Sequence, residues 1–224
     1  MAESRVTGFV LAGGKSSRMG RDKALLEAGG RPLAAWAAAK LSAVTERVCI
    51  LSDTAELARY GELVVDLRAG CGPLGGVEAA LQAMTTDWGL FLAVDMPLVP
   101  TGLLRWLIES TLRREQAAVA LFEAEGFPQP ALCLLHRSVA PYITAALDQS
   151  LMRLYPALRE AGRDLAEMRG AATGDVLLLL DGGGAELESQ VTERQWEMRR
   201  LWFANVNTPQ DFAAMEETTE LLAP

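Results

Sequence analysis

Histidine is almost absent from this chain, with one residue, His136, in 224. That scarcity excludes His-rich metal sites and disfavours a Ser-His-Asp hydrolase, whose general base is an imidazole. Cysteine is nearly as rare. Cys49, Cys71 and Cys133 are odd in number and widely spaced, with no C-x-x-C pair for zinc or dithiol chemistry. Cys49 and Cys133 sit in apolar strand-like runs and read as core, whereas Cys71, in a Gly-Cys-Gly loop, is the one expected to be accessible. His136 follows an apolar run and is expected to be structural. Positive charge is also in deficit, because 21 Lys and Arg face 29 Asp and Glu for a net charge of −8. A general nucleic-acid binder would instead show a basic face. No apolar run reaches the length of a membrane span. Near the N-terminus Gly13 and Gly14 interrupt the apolar run before it forms a signal-peptide core, so no signal peptide and a cytoplasmic location are expected. What remains is ordinary globular composition, half hydrophobic and 22% charged.

Against this acidic background stands one basic island. Lys15, Arg18, Arg21 and Lys23 surround Asp22, a local charge of +3 that leaves −11 for the rest of the chain. The island is rich in glycine and serine and follows the apolar run Val6–Leu11. Glycines let a backbone approach a ligand closely enough for its N–H groups to face phosphate oxygens, and the cations neutralise the remaining charge. A Gly- and Arg-rich surface loop is the bland alternative. The spacing fits neither the Walker A pattern nor the G-x-G-x-x-G dinucleotide fingerprint.

Apolar runs at Val6–Leu11, Arg47–Leu51, Leu63–Asp66 and Gly89–Val94 predict strands. Helical patterns fall between them at Pro32–Val44, Thr54–Tyr60 and Leu74–Met84, with an amphipathic helix at Thr101–Gln116. This alternation predicts an α/β fold with a mostly parallel sheet covered on both faces. The second half is less regular. Strands are expected at Ala117–Phe122 and Ala131–His136 around a loop Glu123–Pro130, and helices at Val139–Gln149 and Leu151–Ala161. A short strand Val176–Leu180, a charged stretch Ala185–Arg200 and a final strand Leu201–Ala204 follow. Thr208 and Pro209 then open a C-terminal helix with Asp211 in its first turn. No linker or repeat divides the chain, so one domain over 1–224 is expected. Ligands of open α/β sheets bind beyond the carboxyl ends of the strands. There the Ala12–Lys23 loop, Asp66 and Asp95 are expected to converge. A carboxylate at the position of Asp95 suits Mg²⁺, or it caps the loop before the next helix.

The run Leu11-Ala12-Gly13-Gly14-Lys15-Ser16-Ser17-Arg18-Met19-Gly20-Arg21-Asp22-Lys23 resembles the L-x-G-G-x-x-x-R-M signature of nucleotidyltransferases. It most resembles that of the molybdenum cofactor guanylyltransferases. Gly72-Pro73-Leu74-Gly75-Gly76, Asp95-Met96-Pro97 and Asn205-Val206-Asn207-Thr208-Pro209 recur in that family's order, so the likeness covers nearly the whole chain. It implies a Rossmann-like nucleotidyltransferase fold and transfer of GMP from GTP to the terminal phosphate of molybdopterin, with a nucleotide half of about 1–116 and an acceptor half of about 117–224. Leu11, Ala12, Gly13, Lys23 and Asp66 match nucleotide-contacting positions. Asp95 matches the magnesium ligand, and Arg18 and Lys23 the phosphate-neutralising cations. Asn205 and Asn207 match the pterin-side motif, though backbone hydrogen bonding at a strand end is an equal reading. Further implied partners are other cofactor-synthesis proteins or apo-molybdoenzymes, with no nucleic acid and no membrane. Alternatives are a CTP-dependent relative, which usually carries Ala-Gly where this chain has Gly13-Gly14, and a binding protein without turnover. The chain departs from the family pattern at Leu51-Ser52-Asp53, at Asp148-Gln149-Ser150 and in the long charged region Gly162–Arg200.

Overall fold

The apolar run at the start of the chain forms β1 (Val6–Leu11), with all six residues buried. The computed structural model describes residues 6–12, 22–206 and 211. After β1 a 3-10 turn at Lys23–Leu25 leads into a hairpin of β2 (Glu27–Ala28) and β3 (Arg31–Pro32), turning at Gly29-Gly30. The hairpin is fastened to α1 (Leu33–Ser42) by the Trp36 indole, which donates to the Ala28 carbonyl at 2.9 Å. Next come β4 (Arg47–Leu51), β5 (Glu62–Val64), α2 (Gly72–Ala83), β6 (Trp88–Ala93) and α3 (Thr101–Leu112). The second half contains β7 (Val119–Ala124), β8 (Phe127–His136), α4 (Ala140–Asp148), α5 (Leu154–Arg169), α6 (Thr173–Val176), β9 (Leu177–Leu180), α7 (Ala185–Glu188) and α8 (Glu193–Glu197).

One seven-stranded sheet, in the order β5-β4-β1-β6-β8-β7-β9, runs through both halves. Only β8 is reversed, pairing antiparallel with β6 and β7, while the remaining pairs are parallel. Side chains alternate between the sheet faces with period two, as a strand buried on both sides requires. Val6 and Val10 of β1 join the core with Leu33, Leu41, Leu103 and Leu107 of α1 and α3. Phe9 and Leu11 join Leu74, Val77, Ile143 and Leu158 of α2, α4 and α5 on the other face. Phe9 and Phe91 stack across β1 and β6 with centroids 5.1 Å apart.

Several expectations are corrected. Thr54–Tyr60 closes as a 3-10 turn, Ala55–Arg59, rather than an α-helix, with Leu57 its only buried residue. The expected loop Glu123–Pro130 is instead a hairpin. Glu125 (φ 51°) and Gly126 (φ 81°) make the tight turn, and Pro128 and Pro130 lie within β8. The prolines read as breakers, yet the far end of β8 pairs on that side only with β7, where a missing N–H is tolerated. The helix expected at Leu151–Ala161 runs on to Arg169 because Gly162 packs rather than breaks. A Cβ there would stand 2.9 Å from the Cβ of Leu177, so glycine allows α5 to lie close against β9. Leu201–Ala204 is not a strand. It forms a turn that drives Trp202 into the core at 2% exposure and stacks Phe203 on Phe122. Thr208 and Pro209 of the expected C-terminal helix lie outside the described residues; Asp211 is helical.

Candidate active site

The parallel pairing of β1 with β6 continues past both strands, as the Val94 N–H donates to the Leu11 carbonyl at 3.2 Å. The chain segments leaving these neighbouring strands therefore start side by side. Leu11 and Ala12 are buried at the end of β1, and Asp95 follows β6. When the chain returns from the Gly-rich loop, the Lys23 ammonium stands 3.1 Å from Asp95 Oδ2, with side chains 16% and 27% exposed. Residues 72 positions apart thus meet just past the ends of β1 and β6. Asp22 sets the position of Lys23. One carboxylate oxygen accepts from the Ala24 N–H at 3.0 Å, and the other from the Thr54 hydroxyl at 2.7 Å, tying the end of the loop to the segment after β4.

Sequence reasoning missed the lysine beneath the Asp95 loop. Lys40 has no solvent exposure, although α1 is otherwise almost wholly alanine and leucine on its buried faces. Its ammonium donates to the carbonyls of Pro97 at 2.7 Å and Val99 at 2.8 Å. Burial pulls its pKa down from 10.5 to about 7. Removing a charge from water costs several kcal/mol, so a lysine here is costly unless fixed acceptors meet it. It clamps the loop that leaves Asp95. The signal was visible as a single cation inside an apolar helix; what it would bind was not.

On the other side of β1 lies a cleft of about 610 Å³, lined among others by Leu11, Leu51, Ser52, Asp66 and Gly76. Burial, and secondarily the charge of Asp53, raises the Asp66 carboxyl above its ordinary pKa. The first turn of α2 comes close to Asp66: Cβ atoms built on Gly75 and Gly76 would each lie 3.5 Å from its oxygens, and the one on Gly75 2.9 Å from the Cys71 Cβ. Contact at 3.5 Å would be ordinary, so Asp66 itself does not demand glycine here; Gly75 is required by the Cys71 side chain, against which the first turn of α2 packs. Cys71, expected to be accessible, is 7% exposed and packs into the core beneath α2.

A second missed network holds the Asp66 loop. Arg68 Nε stands 3.0 Å from Oε2 of Glu78, as an ion pair off the hydrogen-bond axis, and its terminal nitrogen 2.6 Å from Asp148. Glu78 is 2% exposed, and its other oxygen accepts from the Thr144 hydroxyl at 2.9 Å. Arg68 thereby joins the loop to α2 and α4. His136 is structural: its Nδ1 pairs with Ser138, and its ring meets Trp88 edge-on at 5.0 Å.

On the far side of Asp95, the Val206 N–H donates to the Asp95 carbonyl at 3.0 Å, which places exposed Asn205 next to this loop. Gly13, Arg18 and Asn207 lie outside the described residues. Among the described residues no group of three His, Cys, Asp or Glu side chains forms a metal cage. Asp95 nevertheless fits magnesium, which commonly takes one or two carboxylates and completes its shell with substrate phosphates and water.

Residues 8–162 match the MobA-like NTP transferase domain family. A probable molybdenum cofactor guanylyltransferase of Deinococcus radiodurans is 31% identical over 221 residues, 96% of this chain and 98% of that protein. A molybdenum cofactor guanylyltransferase of Serratia proteamaculans is 32% identical over 70% of this chain and 81% of its own length. Among solved structures, the molybdopterin-guanine dinucleotide biosynthesis protein A of Archaeoglobus fulgidus superposes with a TM-score of 0.70 at 19% identity, covering 96% of this chain and 98% of its own. The 2-C-methyl-D-erythritol 4-phosphate cytidylyltransferase of Thermus thermophilus superposes at 0.59 with 17% identity, over 95% and 98%. These two likenesses concern the fold.

Proposed function

We propose, from the premise that the chain belongs to the MobA-like NTP transferase domain family, that it transfers GMP from GTP to the terminal phosphate of molybdopterin. An oxygen of that phosphate attacks the α-phosphorus of GTP. The bond from the α-phosphorus to the bridging oxygen breaks, and pyrophosphate departs with its electron pair. The nucleophile is already an anion, so no general base is required and a chain with one histidine loses nothing. The chemical task is to hold two anions in line and offset their repulsion.

The observation that carries this reading is the Lys23–Asp95 pair at the carboxyl ends of two adjoining parallel strands. Asp95 would hold magnesium, which when bound neutralises charge on the triphosphate. Lys23 donates to phosphate oxygens as charge moves onto the leaving pyrophosphate, and Arg18 shares that role. Asp66 takes the ribose and base side of the nucleotide in the cleft that Leu11 also lines, and Ala12 and Gly13 are assigned nucleotide contacts by the family motif. Asn205, beside the Asp95 loop, and by the family motif Asn207, are assigned to the acceptor. The reading treats 1–224 as one catalytic unit. The test is release of pyrophosphate from GTP, CTP or ATP with Mg²⁺ and molybdopterin. GTP-selective release is expected, CTP-selective release would assign the cytidylyl reaction, and release from none would refute catalysis.

A further inference from the structure

Asp95 lies between two cavities. The cleft at Asp66 opens on the β5-β4-β1 side of the sheet. A second cavity, of about 680 Å³, opens at the carboxyl ends of β7 and β9, between the β7–β8 hairpin and the segment after β9. Its size suits a small organic ligand, since such pockets run from about 300 to 1,000 Å³.

The wall of this second cavity is aromatic. Phe122 and Phe203 stack at 5.0 Å and 21° to form its floor. Trp196 on α8 is half-buried and packs against Trp202, whose indole nitrogen donates to the Gln195 carbonyl at 3.1 Å. Arg199 lies 4.9 Å above the Trp196 ring. Phe127, at the hairpin tip, is 71% exposed and also lines the cavity. A large aromatic side chain left in water beside a cavity contributes little to the core, and it supplies a stacking surface for a flat ligand.

The charges narrow the ligand class. Four carboxylates, of Glu123, Glu125, Asp181 and Glu197, line the cavity against the two guanidinium groups of Arg199 and Arg200. A ligand that is anionic throughout would be repelled. A flat heteroaromatic that presents an amino group and a ring N–H along one edge is matched, because a carboxylate accepts both hydrogens side by side. Glu123 is half-buried, and its carboxylate makes no hydrogen bond or ion pair among the described residues, so it is a ready acceptor for that edge.

Connectivity points the ligand's other end toward Asp95. Ala204 lines the cavity, and two residues later Val206 bonds to the Asp95 carbonyl. Two residues span at most roughly 7 Å, so the mouth of the cavity and the Asp95 loop are near neighbours. We infer that this cavity takes the aminopyrimidinone ring system of the acceptor. The ring stacks on Phe127 and Trp196 and pairs its amino edge with a carboxylate such as Glu123, while Arg200 faces the anionic tail that extends to Asp95. This rests on the reading of the acceptor as a phosphorylated pterin. It also gives a role to the charged segment after β9, where the chain departs from its family's pattern.

The test is a fluorescence titration with 6-hydroxymethylpterin, which carries the ring and no phosphate, in the presence of saturating MgGTP. Wild-type protein is expected to bind the pterin with GTP in place. Trp196→Leu should weaken pterin binding at least ten-fold, and Phe127→Ser, at an exposed tip where folding is insensitive, at least five-fold. Both should leave the Kd for MgGTP within two-fold of wild type. Unchanged pterin binding in Phe127→Ser, no binding to wild type, or displacement of the pterin by GTP would each overturn the inference. Loss of pterin binding in the variants alongside a wild type that releases no pyrophosphate would uphold the cavity and refute the transfer reaction instead.

Discussion

The two sides of Asp95 are built from different materials. On the side of β1 and β4, polar groups fix the loops: buried Lys40 holds the carbonyls of Pro97 and Val99, Arg68 joins the Asp66 loop to Glu78, and Asp22 anchors Lys23 to the segment carrying Thr54. On the side of β7 and β9, rings from β7, α8 and the turn at Leu201–Ala204 stack beside exposed charges, and helices α7 and α8 have only four and five residues. Polar networks that tie several elements together rigidify what they hold, whereas short helices packed by rings adapt more readily. The proposed triphosphate site, where a misplacement of about 1 Å can cost on the order of 100-fold in rate, falls on the rigid side.

The sharpest way to break this comparison is at its centre. Asp95→Ala should lower turnover at least about 100-fold, the scale of losing one preorganised charge-stabilising group; near-normal steady-state rates in that variant would remove Asp95 from the chemistry. Next in size is Lys40→Met, which leaves two loop carbonyls without their donor. Its Mg²⁺ requirement should rise by roughly ten-fold, equivalent to about 1.4 kcal/mol, while the GTP Kd without metal stays close to wild type. An unchanged metal titration would reduce Lys40 to a packing residue.

Lys40 also predicts a pH dependence. Its folded pKa of about 7 lies below its ordinary 10.5, so between these values the unfolded chain binds the extra proton. This contribution makes stability rise with pH from about 7 to 10.5 and lowest below 7, by an amount on the order of a few kcal/mol. The rise should be absent from Lys40→Met in denaturant melts across that range. Arg68→Met, which strands the buried carboxylate of Glu78, should lower the Tm more than Asp148→Asn, which removes only the exposed arm of the network. The smallest effect is expected at Glu186→Gln, breaking an exposed pair with Arg113 between α7 and α3. Such pairs contribute under about 1 kcal/mol, so its Tm should nearly match wild type.

The fold was legible because it follows from local pattern. Apolar runs set β1, β4 and β6, and the rule that ligands sit past strand ends pointed to Lys23, Asp66 and Asp95; the structure pairs Lys23 with Asp95, while Asp66 lines a cleft on the other side of β1. The partners of Lys40 and Arg68 were not legible. Both networks join residues far apart in sequence, Lys40 to Pro97 and Arg68 to Asp148, and their meeting depends on how helices settle on the sheet. The β7–β8 hairpin was not legible because Glu123–Pro130 carries two prolines, which disfavour a central strand, and only their place in the sheet makes them tolerable. Leu201–Ala204 was misread because an apolar run is the same string whether it pairs as a strand or plugs a core. Trp202 and Phe203 do the latter.

The most direct test of the central assignment is thermal unfolding of wild type and Asp95→Ala with GTP, CTP and ATP, each with and without Mg²⁺. A nucleotide at about a hundred times its Kd stabilises by roughly 2.7 kcal/mol, on the order of 5–10 °C for a chain of this size. The account predicts a Mg²⁺-dependent rise with GTP in wild type that is largely lost in Asp95→Ala. An equal, metal-independent rise in both proteins, or none with any nucleotide, would contradict it.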